Sequence, residues 1–175
     1  MAKVFAGFLG TTDYVPVHYE LFGAQTKAMR KYVQAAVIEC TGFEPERAFI
    51  LATKEAQRKN WEGLEHEFSE LGIYGLEPVE IPEGSSEREL WELFDRIGEL
   101  LKEKDELLVD LTHGFRSLTI TGVLSFLFFR SLKSVDIFGA YYGALEAVKP
   151  PPPEGKHPPN FLRELSDNER SKYIA

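Results

Sequence analysis

Five short apolar runs, each closed by glycine, proline or small polar residues, alternate along this chain with four stretches whose apolar residues recur every three or four positions. The runs are Lys3–Leu9, Arg47–Thr53, Val79–Ile81, Glu106–Leu111 and Val135–Tyr142. Unbroken apolar runs of this length read as strands buried on both faces. The intervening stretches read as amphipathic helices. In the first, Met29, Val33, Val37 and Cys40 follow a helical step from Thr26 to a stop at Gly42; in the second, Trp61, Leu64, Phe68 and Leu71 do so up to Gly72. The third opens on a capping box, Ser86 with Glu89, and buries Leu90, Phe94, Ile97 and Leu101; the fourth spans Ser117–Leu132. Between Val15 and Phe22 apolar and polar residues alternate, as in an extended or hairpin excursion. Strand–helix alternation with right-handed crossovers predicts an α/β, Rossmann-like three-layer sandwich with a mostly parallel sheet.

Beyond Val148 the pattern changes. Six of the ten prolines fall between Pro150 and Pro159, so residues 1–148 are expected to form the folded domain and residues 149–175 a stiff proline-rich linker and short tail. Ser166 and Glu169 would cap a small polar helix there. The charge-free run Ser117–Phe129 is 13 residues long, whereas a membrane span needs about 20 apolar residues; a buried helix is expected instead. A net charge of −8 argues against duplex nucleic acid and anionic membranes as partners. A small anion remains compatible, since it needs only local donors. Cys40 is the single cysteine, which fits a reducing cytoplasm and excludes a cysteine-rich metal site; no metal or cofactor is expected.

The join between the fourth strand and the fourth helix is Asp110-Leu111-Thr112-His113-Gly114-Phe115-Arg116. A carboxylate, a hydroxyl, an imidazole and a guanidinium crowd between two apolar runs, where packing alone has no use for them. In an open parallel sheet, ligands sit beyond the carboxyl ends of the strands where the strand order reverses. With the usual order the first and fourth strands are neighbours at that point. The loop after the first strand, Gly10-Thr11-Thr12-Asp13-Tyr14, is also rich in glycine and hydroxyls. Gly114 would let main-chain amides approach a ligand at the start of a helix, and Arg116 would add a bidentate donor. With the hydroxyls of Thr11, Thr12 and Thr112, and with Tyr14 and Phe115 for stacking, the two loops suit a phosphate-bearing, nucleotide-like ligand. Plainer roles stand beside these: Asp110 capping the helix or bracing the loop, His113 packed and hydrogen-bonded, Arg116 paired with a carboxylate. Neither a G-x-x-x-x-G-K-[ST] loop nor a G-x-G-x-x-G fingerprint is present.

The seven residues Asp110–Arg116 resemble the D-x-T-H-G-F-R signature of CRISPR-associated proteins with a DxTHG motif, which carry a CRISPR-associated Rossmann fold (CARF) domain and belong to type III systems. Phe8–Tyr14, Tyr19, Tyr32–Ala36 and Tyr142–Ala147 are similar too, so the resemblance extends over residues 1 to about 148. It implies a homodimeric sensor of cyclic oligoadenylate (tetra- or hexa-adenylate) in antiviral defence, with Gly10, Thr11, Thr12, Tyr14 and Asp110 to Arg116 as ligand-binding positions: Asp110, Thr112, His113, Gly114, Phe115 and Arg116. The fourth helix, apolar nearly all round, would serve as the dimer surface. Relatives usually carry an effector after this domain, commonly a HEPN ribonuclease with an R-x(4-6)-H motif, and no arginine here precedes a histidine at that spacing. The alternative implied is a ring nuclease that cleaves its own ligand without metal to linear products with a 2′,3′-cyclic phosphate. His113, Arg116 and Thr11 would then be catalytic.

Overall fold

The computed structural model describes every residue of the chain except Phe115, with the Glu146 side chain also set aside. The predicted strands form as β1 (Lys3–Leu9), β4 (Arg47–Ala52), β5 (Leu76–Glu80), β6 (Glu106–Asp110) and β7 (Asp136–Tyr141); the excursion after β1 is a small hairpin of β2 (Glu20–Leu21) and β3 (Ala24–Gln25). The five long strands make one sheet in the order β5-β4-β1-β6-β7. All four pairings are parallel, and Gly7 of β1 lies opposite Asp110 of β6. β1 and β6 are therefore neighbours, as the expected topology requires. Helices α1 (Val33–Thr41) and α2 (Lys54–Glu70) cover one face, and α3 (Glu87–Leu100) and α4 (Arg116–Lys133) the other. The chain has the three-layer, Rossmann-like α/β architecture.

Two apolar clusters hold the layers together. Phe5, Leu9, Ile50 and Leu108 meet α1 and α2 residues such as Ala35, Leu64 and Phe68. Phe8, Phe49, Leu107 and Val109 meet Leu93, Ile97, Phe126 and Phe129. The alternation of β1 residues between the two clusters is the period of two in a strand, with both of its faces covered.

Three local expectations change. The first helix starts at Val33 rather than Thr26. Residues before it are drawn into extended structure, with Val17 N–H donating to the Arg30 carbonyl at 3.1 Å and Arg30 N–H to the Val17 carbonyl at 2.9 Å. Glu67 of α2 accepts from the amides of Lys31 at 2.6 Å and Tyr32 at 3.2 Å, so a carboxylate from another helix does the work of a cap. At the start of α3, Ser86 accepts from Glu89 N–H, but the Glu89 carboxylate reaches back to Ser85 N–H at 2.8 Å, one residue beyond a regular capping box. And α4 is buried on one side only: Leu118, Gly122, Phe126 and Phe129 face the core, while Ile120, Leu124, Leu127, Phe128 and Leu132 are exposed. Among the described residues no helix is long and apolar enough to cross a membrane.

After a 3-10 turn at Leu145–Ala147, the proline-rich stretch leads to two short helices, α5 (Pro158–Glu164) and α6 (Asp167–Arg170), the latter with the expected Ser166/Glu169 capping box. This segment lies against the α1–α2 side. Leu162 is fully buried in that cluster, and Ile174 bridges both His18 and Lys149.

Candidate functional site

Each loop that bears the candidate residues leaves the carboxyl end of a central strand, and Gly10 is where the two loops touch. A Cβ at Gly10 would stand 3.0 Å from both the His113 carbonyl oxygen and the Tyr14 hydroxyl. Its own N–H donates to that hydroxyl at 2.8 Å. Asn60, buried on α2, donates from one nitrogen to the carbonyls of Gly10 (2.9 Å) and Thr12 (3.1 Å), fixing the first loop from below. Tyr14 then meets the His113 ring edge-on, centroids 4.4 Å apart, and the Tyr32 ring at 5.1 Å.

The second loop is built on Asp110. Its side chain is fully buried, and its Oδ1 accepts from Thr112 N–H at 3.2 Å and from the Thr112 hydroxyl at 2.5 Å. Such a turn, held by an aspartate two residues back, is a local alternative to helix or strand. The Thr112 hydroxyl also accepts from Gly143 N–H at 2.8 Å, tying the loop to the segment after β7. Gly114 is demanded by packing: a Cβ there would collide with Thr119 Oγ1 and press on the Phe8 ring at 3.3 Å. The glycine predicted to admit a ligand thus admits its own neighbours first.

Burial decides the electrostatics. Asp110 Oδ2 has no hydrogen-bond partner, and burial raises its carboxyl to about 7 against the opposing pull of its two Thr112 bonds. His113 Nε2 is also buried without a partner, and burial lowers the imidazole to about 4, so it is neutral at pH 7. Burial likewise raises the Tyr14 hydroxyl far above its ordinary range. The site thus holds a neutral imidazole and a phenol that stays protonated.

Above these groups lies a cleft with two lobes. The first, about 220 Å³, is lined by Gly10, Thr11, Gly114 and Leu118 together with Leu51, Thr53 and Ile81 from neighbouring strand ends. The second, about 200 Å³, is lined by Asp13, Tyr14, Lys31, Tyr142, Gly143 and Arg163, among others. Thr12, Thr112 and His113 line both, so they form the ridge between the lobes. Of the sequence-predicted residues, Gly10, Thr11, Thr12, Tyr14, Thr112, His113 and Gly114 are brought together here. Asp110 lies beneath and reaches the cleft only through Thr112. Arg116, first residue of α4, is exposed and lines neither lobe. Phe115 lies outside the described residues.

Sequence reasoning missed Asn60, Lys31 and Arg163. Asn60 had a readable signal: Ala56, Asn60, Leu64 and Phe68 are the buried residues of α2 at a spacing of four, and one of them is polar. Lys31 and Arg163 had none, because they meet only through the fold.

No protein-family model matches the sequence. Over 69 residues, 38% of this chain, it is 36% identical to the CRISPR-associated protein MJ1674 of Methanocaldococcus jannaschii. The match spans 11% of that protein's length, so this chain corresponds to a small part of the longer relative.

Proposed function

We propose that the chain works in CRISPR antiviral defence as a sensor that binds cyclic oligoadenylate, through a CARF domain of the DxTHG kind. The observation that carries the reading is the two-lobed cleft at the switch point between β1 and β6, where the Asp110–Arg116 signature and the Gly10–Tyr14 loop share a ridge of Thr12, Thr112 and His113. Ligands of parallel sheets collect at this place. The partial likeness to a CRISPR-associated protein supports the biological setting.

A ring of repeated nucleotides is matched by a two-fold pair of identical clefts. The exposed stripe of Ile120, Leu124, Leu127, Phe128 and Leu132 supports such pairing, because apolar residues gathered on one helix face mark an association surface. Regulation of an effector would follow from closure of the pair around the ring.

One observation favours the alternative, a ring nuclease. His113 is neutral at pH 7 and lines the cleft beside Thr11 and Thr12, with its Nε2 buried and unpartnered. A neutral imidazole that turns toward the ligand can take the proton of a ribose 2′-hydroxyl as its oxygen attacks the adjacent phosphorus; the P–O5′ bond breaks, the imidazolium returns the proton to O5′, and a 2′,3′-cyclic phosphate forms. The position of Arg116 outside the cleft lining leaves that reaction short of its expected charge stabiliser, so binding without cleavage is preferred.

Incubation with cyclic tetra- and hexa-adenylate without divalent metal tests both readings. Binding with the ring intact is the expected result. Linear products that vanish in His113→Ala and Thr11→Ala would establish the nuclease instead, and failure to bind either ring would sink both.

A further inference from the structure

The second lobe has a wall that comes from neither site loop. Helix α5 is docked by Leu162, and the next residue, Arg163, stands at the rim of this lobe with Nη2 donating to the Asp13 carbonyl at 2.6 Å. Across the lobe lies Lys31, in the extended stretch before α1. Lys59 of α2 pairs with the Asp13 carboxylate at 2.9 Å. One cation thus pairs with the Asp13 carboxylate, a second holds its main-chain carbonyl, and a third lines the same lobe, in a chain whose net charge is −8. Lys59, then Arg163 and Lys31, hold Asp13 below the usual carboxylate range. Among the described side chains, two other acids near these cations are already engaged. Glu67 spends its oxygens on the amides of Lys31 and Tyr32, and Glu164, next to Arg163, pairs with Lys156 at 2.8 Å. Asp13 itself is exposed, its carboxylate taken by Lys59.

The first lobe is the opposite in character. Its lining holds hydroxyls, apolar side chains and the uncharged His113, with no charged side chain among the described residues. His113 lines both lobes and so lies between them.

We propose that the second lobe is the phosphate subsite of the cleft and that Arg163 and Lys31 are its ligand-binding residues, so that the segment beyond the α/β layers completes the site. The first lobe then takes the uncharged part of the ligand, base or ribose. The proposal rests on the nucleotide reading above but names residues that the two signature loops do not contain. Arg163 presents several donors in a fixed plane and has used one on the Asp13 carbonyl and one, more weakly at 3.3 Å, on Asn160.

Adenosine and adenosine 5′-monophosphate, titrated separately into the full chain and followed by NMR, isolate the contribution of the phosphate. The monophosphate should bind about tenfold more tightly than adenosine, the value of one charge-assisted hydrogen bond in a partly desolvated site. Arg163→Ala and Lys31→Met should each bring that ratio close to one while adenosine affinity holds. Should Arg163→Ala undock α5 and weaken adenosine as well, Lys31→Met decides, since the Lys31 side chain lies over the Tyr32 ring at 5.6 Å and supports no part of α5. A wild-type ratio near one, or a ratio unchanged in Lys31→Met, overturns the proposal. Wild type that shows the ratio but binds no cyclic oligoadenylate keeps the subsite and removes the sensor reading. Cyclic oligoadenylate binding at wild-type strength in both variants does the reverse.

Discussion

The two helical layers cover the same sheet by different means. The layer of α1, α2 and the docked segment buries Arg30, Gln34 and Asn60, and faces Asp110. Arg30 is held there by Glu39 at 2.8 Å and Glu70 at 2.6 Å, Gln34 donates to the Phe8 carbonyl at 2.5 Å, and Asn60 holds the site loop. Among the described residues of α3 and α4 the fully buried polar side chain is Ser125, which donates to the Thr121 carbonyl one turn back at 2.7 Å, while half-buried Lys133 at the end of α4 donates to the Leu101 carbonyl at 2.7 Å. The first layer is specified by directional contacts and anchors the Gly10–Tyr14 loop, while the cleft draws Leu51, Ile81 and Leu118 from the other side as well. The second is specified by volume inside, and outside it carries an apolar stripe.

The strongest way to break this comparison is to cut into each interior. Phe126→Ala should cost about 3–5 kcal/mol in denaturant unfolding, the usual cost of an emptied aromatic site. Asn60→Leu should cost less, about 1–3 kcal/mol for the freed carbonyls of Gly10 and Thr12, yet should abolish nucleotide binding, because those carbonyls shape the loop. If Asn60→Leu proves the more destabilising, or leaves binding intact, the division between the layers is wrong.

Melting temperature against pH sharpens the comparison within the polar layer. Asp110 has a folded value of about 7 above its ordinary 3.8, so its contribution to stability is complete below pH 3.8 and is lost as pH rises through 7. His113, at about 4 below its ordinary 6.5, contributes above pH 6.5 and loses that contribution as pH falls through 4. The two slopes oppose each other between pH 4 and 6.5, and the wild type should be nearly flat there. Asp110→Asn should expose a fall in stability toward acid, and His113→Asn a fall toward neutral pH. Parallel slopes in both variants would refute the assignment.

The smallest effect is expected on the outer stripe. Leu124→Glu should change protomer stability by no more than about 0.5 kcal/mol, as an exposed substitution does. The same change should shift a dimer to monomer in sedimentation.

Most of the architecture was legible because both faces of the sheet are covered. Continuous apolar runs such as Arg47–Ala52 can then be nothing but central strands, and β1 next to β6 follows from topology. The site loops were legible for the opposite reason: Asp110–Arg116 is too polar for its place between two apolar elements. Contacts between distant segments were not legible. The start of α1 depends on Glu67, 35 residues beyond Tyr32, and Arg163 meets Asp13 across 150 residues. Nor does a one-dimensional pattern say which way the first side chain of a helix points, and Arg116 points outward.

Thr112 limits what its neighbour in the cleft can be. A threonine hydroxyl has one hydrogen and two lone pairs. The hydrogen goes to Asp110 Oδ1, and one lone pair receives the N–H of Gly143. What is left is a single acceptor. The sequence suggests a hydroxyl that would donate to an anion, yet this oxygen repels phosphate and welcomes a sugar hydroxyl or a base amino group. At the ridge between two lobes it would act, in the proposed sensor, as a polarity filter, turning a ligand so that its hydrogens face the ridge and its negative oxygens face away.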